Sequence, residues 1–487
     1  MSPALDACPG VLTLHPARDG LVARIRLPGG YASAARWRAL AGLSRDFGDG
    51  CVDVTARGNV QLRGLRAPDA EALAARAAAA GLMPSAQHDR ARNITASPLS
   101  GLGGRPPLRA LVDALDAALL AGPEFAALPG RFLFALDDGT GGASLASCDI
   151  GLAYAAGGPA SGGPASGGPA QIGFDLIVAG RRAGVRLPAA DAVRGVLVAA
   201  RAALAAGVGA SVTRIAALPD GGQSVAAAAG GILGAQASPD TRLPLGPASP
   251  APAVKDAARA APAMTDAARA APAMSADPFA GAQVSHASHT GPARIPRPAP
   301  TVPLASGGVG LHDRDRFTGR FPGQSVTIME EAHGGRTGGV GGVVVVAARL
   351  GRLSGEQIRL MTSLVADGEV VRVGVAGRLV IPLGDGAGGS GPAGTGLAAT
   401  GPAGALARLA ACGLIVGADD PMGDVTACSG AACHRSLGDV RGAAGPVSNY
   451  RKTHWAGCSR LCGCPPDAEP VVALDAARYR MPGEGGA

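Results

Sequence analysis

Residues 426–465, TACSGAACHRSLGDVRGAAGPVSNYRKTHWAGCSRLCGCP, hold five of the nine cysteines: Cys428, Cys433, Cys458, Cys462 and Cys464. Four of them make a C-x4-C pair and a C-x3-C pair, with 24 residues between. A cubane iron–sulfur cluster needs four thiolates converging on one point, and backbone thin enough to approach the sulfides. The flanking residues are suitably small: Ser429, Gly430, Ala431 and Ala432 in the first pair, Gly457 and Gly463 around the second. Any fold that uses the cysteines this way must lay the two segments side by side. Structural zinc more often sits in C-x2-C knuckles, which makes it the weaker metal reading. Disulfides fit less well still, since nine is odd and the opening MSPALDACPG lacks the basic and apolar regions of an export signal.

At 487 residues the chain is long enough for two or three domains. Its 76 glycines and 39 prolines predict long irregular stretches. The net charge of +7 is carried almost wholly by arginine, with Lys255 and Lys452 the two lysines. No basic run is interleaved with aromatics, which make up 3% of the chain, so a nucleic-acid partner is not expected. Arginine does suit carboxylates, because its planar fork binds them in pairs. No apolar run reaches the 18 or so residues of a spanning helix, so no membrane partner is expected and a cytoplasmic protein is. No glycine-rich dinucleotide fingerprint follows a strand.

In chain order, LVARIRL alternates as a half-buried strand, and ARWRALAGLSRDFG carries helical spacing through Trp37, Leu40, Leu43 and Phe47. CVDVTARGNVQLRGL then reads as one strand, with Val52, Val54, Val60 and Leu62 inward, and a helix follows over 68–82. On that strand Arg57, Asn59, Gln61 and Arg63 fall at alternate positions and share a face. A helix is expected at 107–121, strands at 144–154 and 172–178, and an alanine-rich helix at 189–206. The GGPAS repeat between those strands has nothing to bury and reads as a disordered insertion at 155–170. Residues 236–303, with a duplicated DAARAAPAM, read as a proline-rich linker, whose histidines and their neighbour (His286, His289 and His312) are read as solvated.

Residues 339–385 then repeat the opening order: a strand, a helix opened by Ser354 with Gln357 three along, and a further strand. A second glycine-rich insertion is expected at 386–405. The expected fold class is α+β, with two pseudo-symmetric ferredoxin-like halves (8–86 and 304–387), each followed by an α/β lobe (87–235 and 388–476).

Four stretches carry a family resemblance. HWAGCSRLCGCPP is similar to the HVSGC-xxx-C segment of sulfite and nitrite reductases and their relative in the cobalamin pathway, the precorrin-3B synthases. VTARGNVQLRGL, RNITASPLSG and LPGRFLFALDDG resemble three further motifs of that superfamily, and they stand in the expected order. The resemblance implies a 4Fe–4S cluster on Cys428, Cys433, Cys458 and Cys462, the last able to bridge to a sirohaem iron. The first pair is one residue shorter than the family's C-x5-C, and Cys464 is the alternative ligand. The resemblance also puts Arg57, Arg92 and Arg131 at catalytic positions against a macrocycle, with Asn59, Gln61, Arg63 and Asn93 as further contacts.

The second lysine of the family's LP-x-K-F-K segment is Leu133 here, and residues 374–377 are Gly-Val-Ala-Gly where precorrin-3B synthases carry a TPWR-like run. Arg378 follows that run, one step later. An apolar residue at 133 argues against protonating a small oxyanion. The favoured expectation is therefore a precorrin-3B synthase-like monooxygenase, which hydroxylates precorrin-3A at C20 and closes a lactone. The alternative is a ferredoxin- or NAD(P)H-dependent sulfite or nitrite reductase with sirohaem, and a third is a cluster protein without catalysis. Implied partners are a tetrapyrrole substrate and NADH or a ferredoxin as electron donor; sirohaem and a non-haem iron are further candidate cofactors.

Overall fold

The computed structural model describes residues 6, 8–102, 105–143, 145–155, 173–233, 329–330, 342–374, 377–384, 401–417, 420–449, 452–465 and 468–483. The expected linker and its histidines lie outside the described residues, as does nearly all of the GGPAS insertion.

The opening pattern folds as β1 (His15–Ala17), β2 (Gly20–Ile25), β3 (Tyr31–Ser33), α1 (Ala34–Phe47), β4 (Cys51–Val54), β5 (Val60–Leu65) and α2 (Ala70–Ala79). Ser33 caps α1, its hydroxyl accepting from Arg36 N, and Trp37, Leu40 and Leu43 turn inward from the helix. Burying each such side chain fully contributes about 1.5–3 kcal/mol. The strand expected over 51–65 is instead a hairpin. Gly58 takes φ +71° between Thr55 and Asn59, which exchange a backbone hydrogen bond of 2.8 Å. Arg57 therefore stands on the turn, apart from the face that Asn59 and Gln61 share. A register shift against β2, at Gly64 with φ +69°, moves Arg63 off strict alternation as well.

A first lobe follows: β6 (Ile94–Ala96), α3 (Arg109–Ala121), β7 (Phe134–Asp137), β8 (Ile150–Ala155), β9 (Gly173–Val178), β10 (Arg181–Pro188), α4 (Ala192–Ala205) and α5 (Gln223–Leu233). Its sheet runs β10-β9-β8-β7-β6, parallel from β6 to β8 and antiparallel beyond.

The opening order then recurs in β11 (Met329–Glu330), β12 (Gly342–Ala347), β13 (Arg352–Ser354), α6 (Gly355–Leu364), β14 (Val370–Val373) and β15 (Arg378–Pro382). The capping box at Ser354 and Gln357 is formed. The two halves exchange strands. β13 joins the first sheet beside β4, in the order β1-β2-β5-β4-β13, while β3 joins the second beside β14, in the order β11-β12-β15-β14-β3. One core fills the space between, with Trp37, Leu62, Val344, Met361 and Ile381 among its members.

α7 (Gly401–Ala411) begins inside the stretch expected to be an insertion; Pro402 near its start gives a helix opening that needs no amide hydrogen. The last lobe has β16 (Val425–Ala427), α8 (Val440–Ala443), β17 (Thr453–Ala456), β18 (Glu469–Ala473) and β19 (Tyr479–Arg480). Its sheet is also parallel over three strands and antiparallel at the fourth, so the chain is α+β with its sheet patterns repeated. Among the described residues no helix is long and apolar enough to cross a membrane.

Candidate functional site

β16 and β17 are parallel neighbours, with Ala427 opposite Trp455. Cys428 follows the first strand directly and Cys458 comes two residues after the second, so both pairs leave the same end of the sheet. The Cys428 amide donates to Trp455 O at 3.0 Å. Its sulfur accepts from the amides of Gly457 at 3.2 Å and Gly430 at 3.4 Å. A side chain on Gly457 would lie 1.9 Å from Ser436 Oγ, so only glycine fits there.

Burial raises the Cys462 thiol above the usual range, and Cys458, Cys428 and Cys433 raise it further by their charge, with Arg460 opposing. The four thiols thus share one electrostatic neighbourhood, in which a cation would relieve their mutual repulsion. Among the described residues no three His, Cys, Asp or Glu side chains are grouped tightly enough for a single metal ion. A cubane spreads its thiolates over four irons and asks for a wider arrangement. Cys464 turns its sulfur to the carbonyls of Pro465 at 3.5 Å and Ala468 at 3.7 Å.

A second group is built of arginines. Arg24 on β2 stands across from Gln61 on β5, whose amide oxygen, once oriented to suit, accepts from Nη2 at 2.5 Å and Nε at 3.1 Å. Arg26, 3% exposed, donates to Gly130 O at 2.9 Å and Asn93 Oδ1 at 3.5 Å, and its buried Nε has no partner among the described residues. Asn59 holds this corner together, accepting from Leu27 N at 3.1 Å and donating to Asn93 Oδ1 at 2.8 Å. Asn93 in turn donates to Phe132 O at 3.0 Å.

Burial lowers Arg57, and Arg214, Arg24 and Arg131 lower it further. Arg26 is pushed well down by burial and then by Arg24. Burial likewise lowers Arg24, against the opposing pull of the Cys8 and Cys462 thiols. Guanidinium groups stay protonated in proteins, and burial is the largest cause of each shift, so these side chains have given up hydration that a bound anion would replace. Arg24 lies near enough to Cys462 for the charge of one to act on the other.

Of the sequence candidates, Asn59, Gln61 and Asn93 brace this group, and Arg57 feels the charges of Arg24 and of the exposed Arg131; Arg92 and Arg63 are engaged elsewhere. Arg92 forks onto Asp116 of α3, with both contacts at 2.7 Å and its side chain 5% exposed. Arg63 pairs with Asp19, through contacts of 2.9 and 3.0 Å. Leu133 is buried in a small apolar cluster with Ala135 and Ile177. Arg378 pairs with Asp424 at 3.4 Å. Sequence reasoning missed Arg24 and Arg26, and also Arg214, whose charge acts on Arg57 but which is paired with the buried Asp149 at 2.6 Å. The first two were visible as the polar positions of LVARIRL, which ordinary alternation assigns to solvent. Because the Arg92–Asp116 pair is nearly dry, Arg92→Met strands a carboxylate; it should lower unfolding free energy by about 3 kcal/mol in denaturant titrations while leaving anion binding intact.

Residues 15–80 match the family described as the nitrite/sulfite reductase ferredoxin-like half domain. A 126-residue stretch is 37% identical to a ferredoxin–nitrite reductase of Synechococcus elongatus, spanning 24% of this chain and 25% of that protein. A 68-residue stretch is 40% identical to a precorrin-3B synthase of Sinorhizobium sp, spanning 14% of this chain and 15% of that protein. The matched stretches thus span a quarter or less of these relatives' length. Among solved structures, that of the Mycobacterium tuberculosis NirA protein is similar in fold, with a TM-score of 0.55 at 16% identity over 96% of this chain and 76% of that one.

Proposed function

We propose that this chain is an iron–sulfur oxidoreductase that seats a polycarboxylate tetrapyrrole on its arginine group. The observation that supports the reading is that Cys428 and Cys458 leave the same end of the β16–β17 sheet, while Arg24 and Arg26 are held in place by Gln61 and Asn93; the charge of Arg24 also acts on Cys462. Cys428, Cys433, Cys458 and Cys462 would hold a 4Fe–4S cluster, which when bound supplies one-electron transfer. Arg24, Arg26, Arg57 and Arg131 would bind carboxylates and fix the orientation of the ring. Asn59 and Asn93 would set Arg26, and Gln61 would set Arg24. NADH or a ferredoxin would supply the electrons.

The reaction we favour is of the precorrin-3B synthase class, hydroxylation of precorrin-3A at C20 with lactone closure. Its supports are Leu133 and Arg92. The first lies in an apolar cluster and the second is committed to Asp116, so neither of these two positions offers a cation to a small oxyanion. In this chemistry the substrate is the macrocycle itself, and its carboxylates match the arginines. A second reading, ferredoxin-dependent reduction of nitrite or sulfite on sirohaem, is favoured by the longer match to the nitrite reductase.

Incubation with precorrin-3A, a reductant and 18O2 separates the two. The monooxygenase reading expects one labelled oxygen in the product. Nitrite- or sulfite-dependent oxidation of a reduced dye, with no label in the tetrapyrrole, would reverse the ranking.

A further inference from the structure

We propose that Arg63 is a positioning residue for the first cysteine pair, reaching from the first half's sheet to hold the Cys428–Cys433 loop in the last lobe. This rests on the reading that the four cysteines carry a cluster. The family resemblance implies a macrocycle contact for Arg63; its contacts point elsewhere. Its guanidinium is locked by the double contact with Asp19, and it then donates to Ser429 Oγ at 3.3 Å and Ala432 O at 3.1 Å. Both acceptors lie between Cys428 and Cys433. The Arg18 amide donates to the same Ala432 carbonyl at 3.1 Å, and Arg18 Nη2 reaches His434 O at 3.3 Å.

The other end of the loop is held in the same manner. Arg441 donates from Nε to Cys428 O at 3.0 Å while its other nitrogens reach Asp53 of β4 at 3.2 and 3.4 Å. Each cysteine of the pair therefore has a flanking carbonyl tied to a guanidinium that is itself anchored by an aspartate. Arg63 is 4% exposed, so its charge is weakly screened. Two effects follow. The loop is held at a fixed distance from the first half, and the guanidinium offsets the Asp19 carboxylate, which left alone near the pair would disfavour the more negative, reduced form of whatever the thiolates bind. Partners outside the ligand set commonly change metal affinity by about 10–100-fold.

The test uses the full chain, purified anaerobically with its iron and sulfide. Arg63→Ala should release iron to a chelator about tenfold faster than the parent and shift the midpoint potential downward in a titration followed by paramagnetic resonance. Arg63→Lys, which keeps the charge but loses the fork, should restore the potential more than the retention. Asp19→Asn frees the guanidinium without deleting it, at a partly exposed position, and should give intermediate release if Arg63→Ala fails to fold. Tetrapyrrole affinity should be unchanged in every variant. A parent without iron and sulfide overturns the cluster reading and this inference with it. A parent that holds its cluster, with variants that lose it no faster and titrate at the same potential, overturns this inference alone.

Discussion

Replacing Cys458 or Cys462 with serine is expected to abolish the visible absorbance and the paramagnetic signal of the reduced, anaerobically purified protein. Serine is a poor ligand for iron at a thiolate site, and a cubane deprived of one corner loses its closed coordination. Iron and sulfide analysis checks this, with the parent holding close to four of each per chain. Cys464→Ser, by contrast, is expected to keep the proposed cluster, because that sulfur faces the carbonyls of Pro465 and Ala468. Full iron and sulfide in both Cys458→Ser and Cys462→Ser would remove the cluster assignment.

The second large effect falls on Arg57. A charged hydrogen bond to a carboxylate contributes about 1.5–3 kcal/mol, so Arg57→Leu weakens tetrapyrrole binding by about 10- to 100-fold, and Arg57→Lys by less. The same change has the opposite sign on the empty protein. Arg57 stands among Arg24, Arg131 and Arg214 with burial against it, so Arg57→Leu removes repulsion and raises the thermal midpoint. Loss of affinity together with gain of stability distinguishes a binding arginine from a surface one. Equal affinity in variant and parent would assign Arg57 to the surface.

What could be read in the sequence was local. Trp37, Leu40 and Leu43 announce α1 by spacing alone, and Ser354 with Gln357 announces α6, because both signals lie within a turn or two of chain. The cysteine pairs were legible for a similar reason: their spacing constrains the loops that carry them. The hairpin at Gly58 was missed because alternation continued in the letters across a turn, although Arg-Gly-Asn is ordinary turn chemistry. The exchange of β3 and β13 between the sheets was not legible, since strand edges hundreds of residues apart leave no local pattern. Arg63 shows the same limit. Its acceptors Ser429 and Ala432 lie 366 and 369 residues away, and nothing within its own strand marks that destination.

The central claim is that the thiols and the arginines form one site. It is tested most directly by the paramagnetic spectrum of the reduced protein with and without uroporphyrin, an octacarboxylate tetrapyrrole. Binding at Arg24, whose charge acts on Cys462, is expected to change the g-values and relaxation of the cluster signal. That change should be lost together with affinity in Arg57→Leu. A tetrapyrrole that binds tightly while the cluster signal stays unchanged would place the two groups apart and contradict the account.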